Sequence, residues 1–220
     1  MKNRTILGVA MILAVIATGR AFAQPEFKLS AGIGGYFTSD FGGGYEASMG
    51  GESMSVQTPY AGGGGFIFLD ATFLELSLGF FGGSGDSKME GGGEEMSFGM
   101  TNTGLDIGLL GKYPIAISDQ LSVFPLLGIN YRVILSIKNE DGEEADDPGD
   151  LSALWFKFGG GMDYSFTDSI YLRAGILYGL RLANKSENDM KDMVAESPGV
   201  DFKTLLGHGL EIKLAIGFKF

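Results

Sequence analysis

Apolar and polar residues alternate without a break from His208 to Phe220. His208, Leu210, Ile212, Leu214, Ile216, Phe218 and Phe220 fall on one face, and Gly209, Glu211, Lys213, Ala215, Gly217 and Lys219 on the other. A period of two is that of a strand with one apolar and one polar face. Seven upstream segments carry the same signature. The first, Phe27 to Phe37, sets Phe27, Leu29, Ala31, Ile33 and Phe37 against Lys28, Ser30 and Tyr36. The second, Tyr60 to Leu69, is interrupted by Gly62 to Gly65, which hides its facing. Asp70-Ala71-Thr72 reads as a tight turn into the third, Phe73 to Phe81, where Leu74, Leu76, Leu78 and Phe80 oppose Glu75, Ser77 and Gly79. The fourth (about Phe98 to Tyr113) opposes Leu105, Ile107 and Leu109 to Asn102, Asp106 and Lys112. The fifth, Leu121 to Ile134, opposes Leu127, Ile129 and Tyr131 to Gly128, Asn130 and Arg132. In the sixth, about Leu154 to Phe166, Phe156, Phe158 and Met162 oppose Lys157, Gly159 and Asp163. In the seventh, Ile170 to Leu182, Leu172, Ile176 and Leu180 oppose Arg173, Gly175 and Arg181.

The spacing between segments adds a second signal. Asp70–Thr72, Pro114–Gln120 and Thr167–Ser169 are short links, whereas Thr38–Pro59, Gly82–Ser97, Leu135–Asp150 and Ala183–Gly207 are long. Tilted strands of about 9–11 residues joined by alternating short and long links are the pattern of a barrel that crosses a bilayer. The expected fold is therefore all-β: an eight-stranded antiparallel up-and-down transmembrane barrel with short periplasmic turns and four long extracellular loops. Tyr113, Tyr131, Tyr164, Phe166, Tyr178, Phe218 and Phe220 lie near segment ends, where aromatic rings settle at a membrane interface. A soluble barrel of the lipocalin kind has the same alternation with its apolar residues pointing inward. Alternation alone does not say which face is which.

The N-terminus reads as a leader. Lys2 and Arg4 precede an apolar run from Ile6 to Thr18, and Ala21-Phe22-Ala23 offers a small-x-small cleavage site before Gln24. Residues 1–23 are expected to be a cleaved secretory signal and residues 24–220 the barrel domain. Export by a Sec-type route then leads to the outer membrane of a Gram-negative-type bacterium.

Composition narrows the chemistry. The 37 glycines lack a collagen period, and many of them sit inside the alternating segments, where a narrow barrel needs small residues on its inner wall. The absence of cysteine rules out disulfides and thiolate metal sites. A formal net charge of −11 argues against nucleic acid. The acid-rich stretch from Lys138 to Asp150 could attract divalent cations. An EF-hand around Gly142 fails, however, because its first ligand would be Ile137.

No catalytic residue, metal ligand or cofactor is expected. The single histidine, His208, has Leu210 rather than Ser or Asp as its same-face neighbour, so a hydrolytic triad has no partner for it. The glycine runs match neither a dinucleotide fingerprint nor a P-loop.

The polar face carries many charges, and an eight-stranded interior is narrow enough to be filled by side chains. Glu75, Asp106, Arg132, Lys157, Asp163, Arg173, Arg181, Glu211 and Lys213 are expected to form a lumen charge network, with Asp106, Lys157, Glu211 and Lys213 near mid-height. Buried charges of this kind must pair.

With eight strands, long outer loops and a final phenylalanine, the chain resembles the small outer-membrane barrels of the OmpA/OmpX type. The stretch Leu105-Asp106-Ile107-Gly108-Leu109-Leu110-Gly111-Lys112-Tyr113-Pro114 is similar to a strand and turn of the broader porin-like outer-membrane barrel families. The resemblance implies that Ile216, Phe218 and Phe220 act as the C-terminal signal read by the barrel-assembly machinery. The expected partners are outer-membrane lipid and that machinery, with divalent cations and host or surface ligands as candidates at the loops. The expected function is a barrel with a largely filled lumen, displaying acidic loops for envelope integrity or surface interaction. The alternative is a narrow pore or conduit for small, including hydrophobic, solutes.

Overall fold

The computed structural model describes residues 28–50, 52–145, 147–184 and 200–220. The expected leader, with Ala21, Ala23 and Gln24, lies outside the described residues, as does Phe27. The strands are β1 (Leu29–Met49), β2 (Glu52–Gln57), β3 (Tyr60–Ala71), β4 (Leu74–Gly91), β5 (Glu94–Lys112), β6 (Ile115–Ala116), β7 (Leu121–Asn139), β8 (Ala153–Ser165), β9 (Ile170–Asn184) and β10 (Val200–Lys219).

These strands make eight staves. β1 pairs with β3, β3 with β4, β4 with β5, β5 with β7, β7 with β8, β8 with β9 and β9 with β10, all antiparallel. β10 then pairs with β1 in one unbroken register from Ser30↔Lys219 to Met49↔Val200. That last ladder closes the sheet, so every stave has a neighbour on both sides and no backbone edge faces lipid. β2 continues the stave of β3 above Thr58 and Pro59, lying between β1 and β4. Two-residue β6 pairs with the start of β7.

Burial decides the facing that alternation left open. On β10, Leu214 is 57% exposed and its neighbour Ala215 only 4%. Ile33, Ile67, Leu76, Ile107, Leu127 and Ile176 are exposed around the rest of the wall, while Glu75, Asp106, Arg132, Lys157, Arg173 and Glu211 are buried. Apolar side chains thus coat the outside and ionic ones line the inside, the reverse of a lipocalin and the arrangement a barrel in lipid requires. Phe73 stacks on Tyr113 and Tyr164 packs edge-on to Phe166 near the short turns. Phe41, Phe158, Tyr178 and His208 group at the opposite end. Two aromatic girdles therefore bound the apolar band, as interfacial rings do.

The inner face is less uniformly polar than the sequence pattern implies. Phe66, Phe68, Phe81, Phe124, Trp155 and Tyr171 are buried there among the charges. Glycine makes room for them by close approach. A Cβ on Gly217 would lie 2.2 Å from the Tyr171 ring, and one on Gly32 would lie 2.4 Å from that of Phe68. No such separation is tolerable between nonbonded carbons, so these rings fit only because the neighbouring inner-wall position has no side chain.

Three expectations need correction. The links Thr38–Pro59 and Gly82–Ser97 are not loops for most of their length: β1 and β2 form one hairpin turning near Gly50, and β4 and β5 another turning at Gly92-Gly93. Their Gly-, Ser- and Glu-rich composition resembles that of loops, but the ladders continue through it. The β1 strand is 21 residues long, about twice what a bilayer needs, so the wall stands well clear of the membrane on this side. The third correction concerns Asp70, which is in β3 rather than a turn. The turn is carried by Thr72, whose φ of 63° is unusual for a β-branched residue. Its hydroxyl holds this geometry by accepting from Lys28 N (2.7 Å) and donating to Lys28 O (3.0 Å).

The acidic segment after β7 is also folded back. Lys138 bridges to Glu144, Ala145 N donates to Ile137 O, and Pro148–Leu151 forms a 3₁₀ turn. Its carboxylates take local donors: Glu140 accepts from Gly99 N and Glu144 from Ser136 Oγ.

Candidate functional site: the lumen

The inward positions of all eight staves bring the charged residues into three groups stacked along the barrel. The lowest lies just inside the short turns. Arg173 on β9 donates to Glu75 Oε2 (2.6 Å), Asp70 Oδ2 (2.5 Å) and both oxygens of Asp163 (2.7 Å each). Lys112 on β5 also pairs with Asp70. The guanidinium is flanked by the rings of Phe68, Phe124 and Tyr171 at 4.7–5.3 Å from their centroids. Only a planar fork with several donors can serve three carboxylates at once and still stack on aromatic faces. Below it a cavity of about 230 Å³ opens at the mouth, lined by Lys28, Asp70, Lys112, Asp163, Arg173 and Lys219.

The middle group joins β8 to β10. Lys157 Nζ donates to Glu211 Oε2 at 2.5 Å. Lys213 Nζ stands 3.1 Å from Oε1, an ionic contact in which Oε1 accepts no hydrogen bond. Lys213 also lies over the Phe66 ring. Leu110, Phe124, Leu126 and Leu177 pack into one apolar cluster on the inner side.

In the upper group, Arg132 on β7 donates to Asp106 Oδ1 (3.1 Å) and Asp40 Oδ2 (2.5 Å). Tyr36 Oη donates to Asp106 Oδ2 at 2.5 Å, and Thr38 Oγ1 donates to Asp40 Oδ1. Phe81, Tyr60 and Trp155 surround the guanidinium. A cavity of about 100 Å³ sits beside it, lined in part by Asn102, Trp155 and Arg181. Tyr60 Oη, Asn102 Oδ1 and Trp155 Nε1 are buried here without hydrogen-bond partners in the chain. The space is polar and roomy enough for water, which would satisfy them.

Of the residues singled out from sequence, the structure gathers Glu75, Asp163 and Arg173 into the lower group and Lys157, Glu211 and Lys213 into the middle one. Asp106, expected beside Lys157 and Glu211, instead pairs with Arg132. Arg181 stands at the outer mouth, where its guanidinium rests against Gly43 and Gly207. The expected network leaves out Asp40, Asp70 and Lys112, although the alternation already places Lys112 on the polar face with Asp106. Asp40 shares the parity of Tyr36 and Thr38 once β1 is carried past Phe37. Asp70 shares that of Phe66 and Phe68, a signal obscured by Gly62 to Gly65.

Ile216, Phe218 and Phe220 are exposed on the outer side of the closing stave. His208 accepts or donates one hydrogen bond, Nδ1 to Tyr178 Oη at 2.7 Å, and packs edge-on against Phe41. This places it in the outer girdle rather than beside a nucleophile. Among the described residues no group of three or more His, Asp or Glu side chains is placed to hold a metal ion.

A protein-family model agrees with this geometry. The family model described as "Outer membrane protein beta-barrel domain" matches residues 7–203. No curated protein matches the chain in sequence. Among solved structures, Neisserial surface protein A (NspA) is 14% identical with a TM-score of 0.41, covering 84% of this chain and 97% of that one. The outer membrane protease OmpT from Escherichia coli is 8% identical with a TM-score of 0.46, covering 90% and 98%. Ail, the attachment invasion locus protein of Yersinia pestis, solved with the heparin analogue sucrose octasulfate, is 11% identical with a TM-score of 0.34, covering 88% and 99%.

Proposed function

This chain belongs to the outer membrane protein β-barrel family, and from that premise we propose that it is a non-conducting, non-enzymatic barrel that stiffens the envelope and presents a tall acidic rim for surface contact. The observation that carries this reading is the filled lumen: Arg173, Glu211 and Arg132 each sit buried in an ion-paired group, with aromatic rings packed around the two arginines. Charges in so narrow a space are held by several partners at once, and an ion entering would have to displace them.

The rim supports the second half of the proposal. The β1–β2 and β4–β5 hairpins carry Glu46, Glu52, Glu90, Glu94 and Glu95 beyond the membrane band, and Glu140, Asp141, Glu143 and Glu144 stand beside them. A rim of this charge attracts cations and basic surfaces and repels acidic ones; divalent cations or basic host ligands are its fitting partners. The outward face of β10, with Ile216, Phe218 and Phe220, is the surface the assembly machinery would read during insertion.

Planar-bilayer recordings on refolded protein test the closed lumen. At neutral pH and 1 M KCl the expected trace is a flat baseline with at most brief, small openings. Long, steady conductance steps would replace this reading with the alternative of a narrow pore.

A further inference from the structure

Methionine is unevenly placed in this barrel. Met49, Met54, Met89 and Met96 all lie in the wall above the membrane band, one on each of the neighbouring strands β1, β2, β4 and β5. The ladder registers put them on one face. Met89 is directly opposite Met96. Val56 is opposite Met89 and Met54 opposite Gly91, each two residues along its strand from the other. Ala47 is opposite Met54 and Met49 opposite Glu52. Directly opposed residues in an antiparallel pair share a face, as do residues two apart on one strand. On β4 and β5 this face continues the inward side below, since Met89 shares the parity of Phe81 and Met96 that of Asp106. Opposed Cβ atoms stand about 4.5–5.5 Å apart and diagonal neighbours about 7–8 Å, within reach of a side chain with three rotatable bonds. Met54 also lies over Gly91: its Cβ and Cγ are 3.6 Å from where a Gly91 Cβ would be. The missing side chain leaves it room to lean toward Met89.

Three of these side chains are exposed and Met89 is half-buried. Met49 is 67%, Met96 49% and Met54 36% exposed. Leucine would serve as well for apolar contact; what methionine adds is a soft, polarisable sulfur lone pair. Thioethers select soft cations such as Cu(I) over the hard ions that prefer carboxylates. The same face carries Glu52, opposite Met49, and Glu94, opposite Gly91, in a chain of net charge −11. Their field draws cations to the patch.

We propose that Met54, Met89 and Met96, with Met49 at the rim, form a thioether site for a soft monovalent d¹⁰ cation, Cu(I), on the part of the wall that stands clear of the membrane. The site stands on the hairpin registers and is independent of whether the lumen conducts. Binding is simple coordination by neutral sulfur, so no proton or electron is exchanged.

The test is a titration of the refolded, full-length barrel with silver nitrate in chloride-free buffer, Ag(I) standing in for Cu(I) without its redox chemistry. A parallel anaerobic Cu(I) titration against a chromophoric competitor checks the analogy. Methyl-¹³C-methionine NMR reports which sulfurs respond. One Ag(I) per chain is expected, with the Met54, Met89 and Met96 methyl signals shifting together. Met89→Leu and Met96→Leu, which keep side-chain volume, are each expected to weaken binding about tenfold or more, as loss of one soft ligand from a three-ligand site should. The Met54→Leu/Met89→Leu/Met96→Leu triple variant abolishes it, whereas Met162→Leu on the lipid face leaves it unchanged. Native-like heat-shifted migration on SDS gels shows that each variant is folded. Absence of saturable binding by the native barrel, or native affinity in the folded triple variant, overturns the proposal.

Discussion

Replacing Arg173 by methionine is expected to lower the stability of the barrel in phospholipid vesicles by about 3–5 kcal/mol, the cost of breaking a buried ion pair by removing one partner. The effect is large because Arg173 is 5% exposed and serves Asp70, Glu75 and Asp163 together. Three carboxylates share two cations in this group, and after the change Lys112, paired with Asp70, is the remaining one. Arg173→Lys keeps the charge but not the fork, and a single ammonium cannot replace four charge-assisted hydrogen bonds in that geometry. It should therefore recover less than half of the loss. Urea unfolding read from fluorescence checks both variants, since Trp155 is the chain's one tryptophan and is buried in the upper lumen. An Arg173→Met midpoint equal to the native one would mean that the lower group contributes nothing to the fold.

Glu211→Leu is expected to cost a similar amount for the opposite reason. It leaves two cations, Lys157 and Lys213, facing each other in a buried space with their shared carboxylate gone. Desolvated like charges repel, and the carboxylate that both were paired with is gone. The instructive comparison is the triple variant Glu211→Leu/Lys157→Met/Lys213→Met, which removes the whole group and replaces it with apolar side chains of similar length. Replacing a buried ionic group entire is often neutral or stabilising, by about 1–4 kcal/mol, so the triple variant should unfold at or above the native midpoint. If it is as unstable as Glu211→Leu alone, the loss comes from packing and not from unpaired charge. The same triple variant on planar bilayers reports whether the middle group also excludes ions, because methionine fills the lumen without holding it by charge.

The strand pattern was legible from side-chain parity alone. β10 shows why: six apolar residues in succession on one face, with Glu211 and Lys213 between them, leave no other periodicity. Parity could not say which face met lipid. That depends on how the sheet closes, and closure is a property of eight staves together rather than of one. The charge network was partly hidden for two physical reasons. Glycine erases facing, so Gly62 to Gly65 concealed that Asp70 shares the inner side with Phe66 and Phe68. Small and acidic residues also mimic loops, so the visible alternation ends at Phe37 and Asp40 drops out with it. The same bias disguised both outer hairpins; in the first, Met54 and Val56 repeat at the strand period with Ser53 and Ser55 in the alternate positions. Partner choice inside the lumen is the least legible level of all. Asp106 could have met Lys157 or Arg132 by parity, and only the register β5↔β7, which sets Asp106 opposite Arg132, decides it.

The defining feature of this barrel is an apolar exterior around an ionic interior, and site-directed spin labelling of β10 tests that arrangement most directly. The chain has no cysteine, so a single cysteine introduced at Leu210, Ile212, Leu214 or Ile216 carries the only nitroxide. In lipid vesicles all four labels are expected to be relaxed strongly by oxygen, which partitions into the bilayer, and weakly by a water-soluble nickel complex. Labels at the intervening Lys213 and Ala215 are expected to be immobilised and shielded from oxygen. The opposite phase, with shielding at the four even positions and oxygen exposure at Lys213 and Ala215, would place the apolar face inside and contradict the barrel described here.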